Sequence, residues 1–459
     1  MMEVMSATQS VCPVCLKVVS ARCVAEGEKI YIEKSCPQHG PYRTLVWEGK
    51  KFYVDWTINN KPGSKLFQSP QTSISRGCPY DCGLCPEHQR DSCTVVVEVT
   101  NRCNIKCPIC FASSDGSPLP VYEPDLETIG HIYEKLVRAA GGDVPVQLSG
   151  GEPTTRNDLP EIIAMGKEYG FPHLQVNTNG VRLGQDRAYL QRLKDAGLNA
   201  VYLQWDGVDD EVYQQIRGAN LLEIKLRALE NCAQLGIGVI LVPTLVPGIN
   251  THQIGAIIQF AKSRMPIVKG VHFQPVSYFG RYPSAPKDDD RITIPRLFEL
   301  IEQQTDGEVR KANFAPMKGC EHPTCSFSGF FVLGEDGKLL STTTFKPIED
   351  SSCYDSGPTP SQRARKYVAS RWQYHEPAQE DSCSCKCGTG SWIEFYKRAS
   401  SQSLCISGMA FQDAWNVDIE RLKRCCIHVF TEGGRLIPLC AYYLTSTDGE
   451  RLYNNLQYL

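Results

Sequence analysis

Six short apolar runs, separated by amphipathic stretches between Thr94 and about Ser277, constrain this chain more than any other feature. The runs are Thr94–Thr100, Pro145–Ser149, His173–Thr178, Ala200–Trp205, Gly238–Pro243 and Gly270–Pro275. Between them, Asp125–Ala140, Asp158–Tyr169, Asp186–Ala196, Glu223–Leu235 and Thr251–Lys262 carry helical periodicity. Most of these stretches start near Asp, Asn or Thr and end near Gly, as helices do. Each is long enough for a crossover between parallel strands. The region therefore predicts an α/β fold: a parallel sheet with helices outside, either a partial barrel or an open doubly wound sheet. In both, a ligand sits at the carboxyl ends of the strands.

The full chain has 459 residues, which suggests roughly three folding units at about 150 residues each. Its 48 basic and 51 acidic side chains leave a net charge of −3, with no case for a nucleic-acid-binding surface. A hydrophobic content of 42% argues against disorder. Cysteine is the exception, with 22 residues. Met1–Ser10 contains Glu3 and lacks the apolar stretch of a secretory signal. The longest apolar run, Ile237–Ile249, is broken by Gly238, Pro243, Pro247 and Gly248, and falls short of the about 20 residues a bilayer needs. The expectation is a cytoplasmic protein, in which thiols stay reduced. Tight Cys-x-x-Cys and Cys-x-x-x-Cys groups then read as metal or cluster ligation.

Three parts emerge. Residues 1–92 are Cys-rich, with short alternations such as Lys29–Glu33 and Phe52–Val54 that suggest small strands. Cys12-Pro-Val-Cys15 and Cys36-Pro-Gln-His39 flank this unit like two halves of a metal knuckle. Cys23 reads as an ordinary small residue. Residues 93–277 form the alternating region. Residues 278–459 are less regular, with a hairpin expected around Asp336-Gly337 and further cysteines, among them Cys353, Cys383, Cys385, Cys387 and Cys405.

Cys103-Asn-Ile-Lys-Cys107-Pro-Ile-Cys110 follows the first strand of the alternating region. Three thiolates can hold three irons of a cubane, one fewer than a closed [4Fe–4S] cluster uses. Gly150-Gly151-Glu152-Pro153 ends the second strand, Asn177-Thr178-Asn179-Gly180 the third, Gln204-Trp205-Asp206-Gly207 the fourth and Phe273-Gln274-Pro275 the sixth. With these motifs in order at consecutive strand ends, the sequence resembles the radical S-adenosylmethionine (SAM) superfamily. The resemblance implies a partial (β/α)6 barrel with Cys-rich extensions at both ends. It also implies a [4Fe–4S] cluster on Cys103, Cys107 and Cys110, with one iron open to SAM. SAM would lie against Gly150, Gly151, Glu152, Pro153, Thr178, Asn179, Gln204, Asp206 and Gln274. Glu152 would accept a hydrogen bond from the methionine ammonium, and the two glycines would let backbone approach the ligand. Ile109 stands where the family more often has an aromatic residue, and still offers an apolar face.

A second triplet, Cys78-Pro-Tyr-Asp-Cys82-Gly-Leu-Cys85, lies 25 residues upstream without a preceding strand. It reads as an auxiliary cluster with Cys93 as fourth ligand; zinc is the alternative. Cys320, Cys325 and Cys440, with Cys425 or Cys426, offer a further site. The whole layout, including Ile437-Pro-Leu-Cys-Ala-Tyr442, resembles the subfamily of the archaeal tetraether lipid synthase and the 7,8-dihydro-6-hydroxymethylpterin methyltransferases. The resemblance assigns Cys12, Cys15 and Cys36 to a mononuclear iron site, whereas His39 suits zinc better. It also implies a flavodoxin- or ferredoxin-type electron donor. Radical carbon–carbon coupling on a lipid-like substrate, with contact at a membrane surface, is the preferred expectation. The apolar rim would come from Leu439–Leu444, Phe279, Tyr282, Trp392 and Phe395. Radical methylation of a pterin-like heterocycle is the alternative, and a non-catalytic metal scaffold or electron carrier a third.

Overall fold

The computed structural model describes residues 2–58, 71–114, 121–317, 321–345, 359–372, 374, 398–399 and 401–453. The chain opens as an antiparallel meander of β1 (Met2–Val11), β2 (Val18–Glu26), β3 (Lys29–Cys36) and β4 (Gly40–Glu48). Alternate turns of a meander lie at the same end. The β1–β2 turn, holding Cys12 and Cys15, therefore meets the β3–β4 turn beside Cys36 and His39. Phe52–Val54, expected as a strand, lies instead in the helix Lys50–Thr57. The winning period is helical: Phe52 and Trp56, four residues apart, both pack on Trp47.

The six expected strands all form, as β5 (Thr94–Thr100), β6 (Val146–Gly150), β7 (Leu174–Thr178), β8 (Ala200–Gln204), β9 (Gly238–Val242) and, after the short β10 (Thr244–Leu245), β11 (Val268–Pro275). They pair in parallel in the order β5-β6-β7-β8-β9-β11. That order never reverses, so right-handed crossovers put every helix on one face and the sheet curls as a partial barrel. The helices Leu126–Ala140, Leu159–Glu168, Arg187–Asp195, Leu222–Leu235 and Ile254–Ser263 match the expected ones, and Asp210–Arg217 is an additional one.

The C-terminal part adds strands to both edges of this sheet. β12 (Ser326–Leu333) and β13 (Leu339–Ser341) form the expected hairpin, with Gly337 at φ +73° in its turn. β14 (Ser403–Met409) runs parallel to β11 and pairs β12 on its other side. β15 (Ile427–Phe430) runs parallel to β5 and pairs β16 (Leu436–Pro438). Glu98, buried on β5, accepts from the hydroxyls of Tyr442 (2.8 Å) and Tyr443 (2.5 Å), pinning the final segment over the barrel mouth.

Strand alternation divides the two faces of the barrel. Val95, Val97, Val146, Leu148, Leu174 and Val176 point outward into one apolar core with the helices. Their neighbours Gln147, Gln175, Asn177, Tyr202, His272 and Gln274 line the interior. A parallel strand packed on both faces would be apolar throughout. Here the inner face sets these polar side chains among Val96, Ala200, Ile240 and Val242.

Candidate active site and metal centres

At the carboxyl ends of the strands a cavity is bounded by Cys103, Cys107 and Cys110 on one side. Gly150, Gly151, Glu152, Thr178, Asn179 and Gln204 form another wall. Burial pushes the Cys103 thiol up to about 12. Burial likewise raises that of Cys107, against which the Arg217 guanidinium works in the opposite direction. Such thiols are costly to ionise alone and suit a metal that neutralises the thiolate.

The glycines are required by the chain itself. A Cβ on Gly150 would sit 2.0 Å from the Thr100 carbonyl oxygen, and one on Gly151 2.0 Å from that of Arg102. Gly151 N–H donates to Thr100 O and Glu152 N–H to Arg102 O, both at 2.7 Å, fixing the loop that delivers Cys103. Glu152 is fully buried and serves this scaffold. Its Oε1 accepts from Thr154 N (3.1 Å), Thr154 Oγ1 (2.6 Å) and Thr178 Oγ1 (2.7 Å), and its Oε2 from Asn179 N (2.6 Å). Pro153 opens the short 3-10 turn Pro153–Thr155 that supplies two of these donors. Asn179 Nδ2 reaches Asn104 Oδ1 at 2.7 Å, tying the cysteine loop to β7.

Asp206, expected beside SAM, lies instead behind the wall. It grips Arg217 through two 2.7 Å bonds and accepts from Thr244 N at 3.1 Å. Arg217 itself lines the cavity and donates to Ile109 O at 3.2 Å, within the Cys107–Cys110 loop. With its amide turned to face the guanidinium, the Gln204 oxygen accepts from Arg217 at 3.1 Å. Lys225, also buried, donates to the backbone oxygens of Asn179 (2.7 Å) and Gln204 (2.8 Å), and burial brings its ammonium down to about 7. Neither cation belongs to a sequence motif. Arg217 closes the helix Asp210–Arg217, and only the Gly218 after it marks the position.

Beneath this cavity the barrel interior forms a second chamber, sharing the walls Val96, Gln147, Asn177, Gln274, Phe411 and Leu439 with the first. Its deeper walls carry Gln175, Tyr202, His272, Ser407 and Trp372. The apolar rim expected from Leu439–Leu444 and Phe279 is mostly ordinary core, with Leu439 and Tyr443 facing the cavity. Tyr282 is partly buried against that core, and Trp392 and Phe395 lie outside the described residues.

Three further groups of thiols stand apart. The ligand atoms of Cys12, Cys15, Cys36 and His39 lie within 4.8 Å of one another, the separation expected of a single tetrahedral ion. Three sulfurs and one nitrogen suit zinc rather than a four-sulfur iron. Cys78, Cys82 and Cys85 gather on a loop organised by Asp81, which accepts from the backbone of Ser75, Arg76 and Gly77. Cys93, expected as their fourth partner, lies against Cys426 instead, with sulfurs 2.9 Å apart. The parallel register Thr94↔Ile427 brings the two residues together. Cys325, Cys425 and Cys440 line a small cavity with Arg421, whose Nε lies 3.0 Å from the Cys325 sulfur. Cys425 therefore takes the position left open between it and Cys426. Cys320, Cys353, Cys383, Cys385 and Cys387 lie outside the described residues. Cys23 is buried in the core.

Residues 97–261 match the radical SAM superfamily, and residues 4–48 match the HMPTM N-terminal zinc ribbon domain. The chain belongs to the radical SAM superfamily and is an enzyme that uses a [4Fe–4S] cluster and SAM. The donors around the upper cavity fit that pair: three thiols, a buried cation and the glycine turn. Within the superfamily the chain belongs with the 7,8-dihydro-6-hydroxymethylpterin dimethyltransferase of Methanocaldococcus jannaschii, with 36% identity covering 95% of this chain and 92% of that protein. The GTP 3′,8-cyclase of Staphylococcus carnosus is 27% identical over 53% of this chain and 76% of its own. Streptococcus suis SuiB, in a crystal structure with SAM, superposes with a TM-score of 0.38 at 14% identity, over 47% of this chain and 48% of that one. The preferred expectation of carbon–carbon coupling on a lipid-like substrate finds no support in the first two of these proteins. Among the described residues no helix is long and apolar enough to cross a membrane.

Proposed function

We propose that this chain is a radical SAM methyltransferase acting on a pterin-like heterocycle. The observation that carries this reading is the chamber opening directly off the cofactor cavity, where Gln147, Gln175, Asn177, His272 and Gln274 stand among otherwise mainly apolar walls. An alkyl chain there would bury amide and imidazole groups without partners, at about 1–3 kcal/mol each. A heterocycle with ring nitrogens and a carbonyl can satisfy them.

Cys103, Cys107 and Cys110 would hold the cluster, and Arg217, kept in place by Asp206, would meet the methionine carboxylate of SAM. When bound, the cluster and SAM supply a 5′-deoxyadenosyl radical able to take hydrogen from an inert carbon. The chain holds the two ligands in adjoining chambers, and Phe411, Leu439 and Tyr443 limit access of water. In this proposal residues 1–92 contribute the ribbon metal and the Cys78, Cys82, Cys85 site, and residues 93–277 the cofactor cavity. Residues 278–459 contribute the far wall of the substrate chamber and the Cys325, Cys425, Cys440 site. The two latter thiol groups hold auxiliary clusters, and a flavodoxin- or ferredoxin-type protein delivers the electron.

The test is anaerobic reconstitution followed by dithionite-driven turnover with 7,8-dihydro-6-hydroxymethylpterin. The expected result is 5′-deoxyadenosine together with a pterin heavier by one or two methyl groups. Cys107→Ala should give neither product. SAM cleavage without any pterin product, under every methyl donor supplied, would defeat the substrate assignment. Retained cleavage in Cys107→Ala would defeat the cluster assignment.

A further inference from the structure

The inner chamber is layered, because each strand turns every second side chain inward. Ser149, Asn177, Gln204 and Gln274 form the layer nearest the cofactor cavity, and Gln147, Gln175, Tyr202 and His272 the layer below it. The lower layer is wired in one direction. His173 Nε2 pairs with Gln175 Oε1 at 3.0 Å, and Gln175 Nε2 donates to Gln147 Oε1 at 2.7 Å. Gln147 is thus held by its oxygen, and its NH2 has no hydrogen-bond partner among the described residues.

Three more polar groups are left in the same state. His272 Nδ1 pairs with Ser407 Oγ at 2.9 Å, leaving Nε2 without a described partner. Burial holds this imidazole neutral, bringing its titration down to about 4. The indole N–H of Trp372, 4% exposed, is buried with no hydrogen bond, and its nitrogen is packed out of reach of the chamber. Gln274, on the boundary between the chambers, uses neither end of its amide on a described residue. Native interiors rarely leave such groups unpaired. Several around one cavity mark a surface built for a ligand that completes them.

We propose that Gln147 and His272 read the lactam–amidine edge of a flat bicyclic nitrogen heterocycle. The opposite edge, which bears the reacting carbons, then faces the cofactor cavity. This rests on the heterocycle methyltransferase reading and adds which edge is recognised and by which residues. Along that edge a carbonyl oxygen and a ring nitrogen accept on either side of an N–H and an NH2 that donate, so an amide NH2 and a neutral imidazole can each find a partner, and no charged group is required. Gln274, at the boundary, orients the ring between the two layers.

The test is equilibrium binding of 6-hydroxymethylpterin, followed through its own fluorescence, to the iron- and zinc-loaded full chain. Quinoxaline, a bicycle without the lactam–amidine edge, serves as control. Sites built around hydrogen bonds reject analogues that lack them. Quinoxaline should bind at least about a hundredfold more weakly. His272→Phe keeps a ring and removes its nitrogens, and Gln147→Met keeps the length and removes the NH2. Each should weaken pterin binding about tenfold, with melting temperature and iron content at wild-type values. His272→Gln, an amide in place of the imidazole, should weaken it similarly. Unchanged pterin affinity in His272→Phe and Gln147→Met, in an enzyme that still methylates pterin, overturns the edge assignment and leaves the function standing. A wild-type protein that neither binds nor methylates pterin overturns both.

Discussion

Replacing Asp206 by Asn is the most informative single change in the cofactor cavity. Asp206 and Arg217 are side chains 0% and 6% exposed, joined through two parallel bonds. Asn keeps the shape and one acceptor but leaves the guanidinium buried without its counter-charge. Breaking a buried pair from one side costs about 3–5 kcal/mol. At an unfolding entropy of about 2.1 cal/mol/K per residue, a chain of this length loses about 1 °C per kcal/mol. The anaerobic metal-loaded protein should therefore melt about 3–5 °C lower. SAM binding, measured by equilibrium dialysis, should weaken at the same time, because Arg217 no longer has a fixed position in the cavity. The double variant Asp206→Leu/Arg217→Met separates the two effects. Apolar replacement of both partners should return most of the lost stability, while SAM affinity stays low. A melting temperature for Asp206→Asn within about 1 °C of wild type would refute the view that this pair holds the cavity wall.

Gly151→Ala forces a Cβ onto the Arg102 carbonyl oxygen, so the Cys103 loop must move. Iron per chain should fall while ribbon zinc is retained, and equal iron content would count against the loop being held there. Burial depresses His173 and His272 to about 4, below the ordinary imidazole value. Their contribution to stability is present above about pH 6.5 and lost as pH falls toward 4, with a slope of about 1.4 kcal/mol per unit for each. Urea midpoints should drop between pH 6.5 and 5, and His173→Gln should remove one proton from that slope; a pH-independent midpoint would contradict the burial. Cys15→Ser should empty the ribbon site, as metal analysis would detect. Faster hydrogen exchange should follow at Ala414–Val417, which Lys34, Thr44 and Ser10 of the ribbon hold through backbone oxygens. Unchanged exchange there would uncouple the ribbon from the barrel.

The strands were legible because each pairs an apolar outer face with a bounded length, and the crossovers left no other pairing. Thr94–Thr100 matches to the residue. The cysteine triplet and the glycine turn were legible as motifs, although the glycines make room for the Cys103 loop and Glu152 mainly braces it. Arg217 was not legible, since only the folded helix brings it back to Asp206 and Cys107. Cys93 was misassigned because spacing along the chain cannot register a strand pairing with a segment 333 residues away. The polar interior was written in plain view, as Val-Gln-Leu-Ser, Leu-Gln-Val-Asn, Val-Tyr-Leu-Gln and Val-His-Phe-Gln. Read for alternation rather than for hydrophobicity alone, those four runs give the polar part of the barrel's inner face.

The way β14 and β15 clasp opposite edges of the sheet bears on how the protein is made. Until residues 403–430 leave the ribosome, β5 and β11 both expose unpaired backbone, each a template for another chain. Closing them requires contacts between the distant ends of the sequence, which slows folding and lengthens exposure. A message that stops short of Ser403 would therefore yield a chain with two sticky borders, prone to aggregate even though its cluster loop and glycine turn had been synthesised.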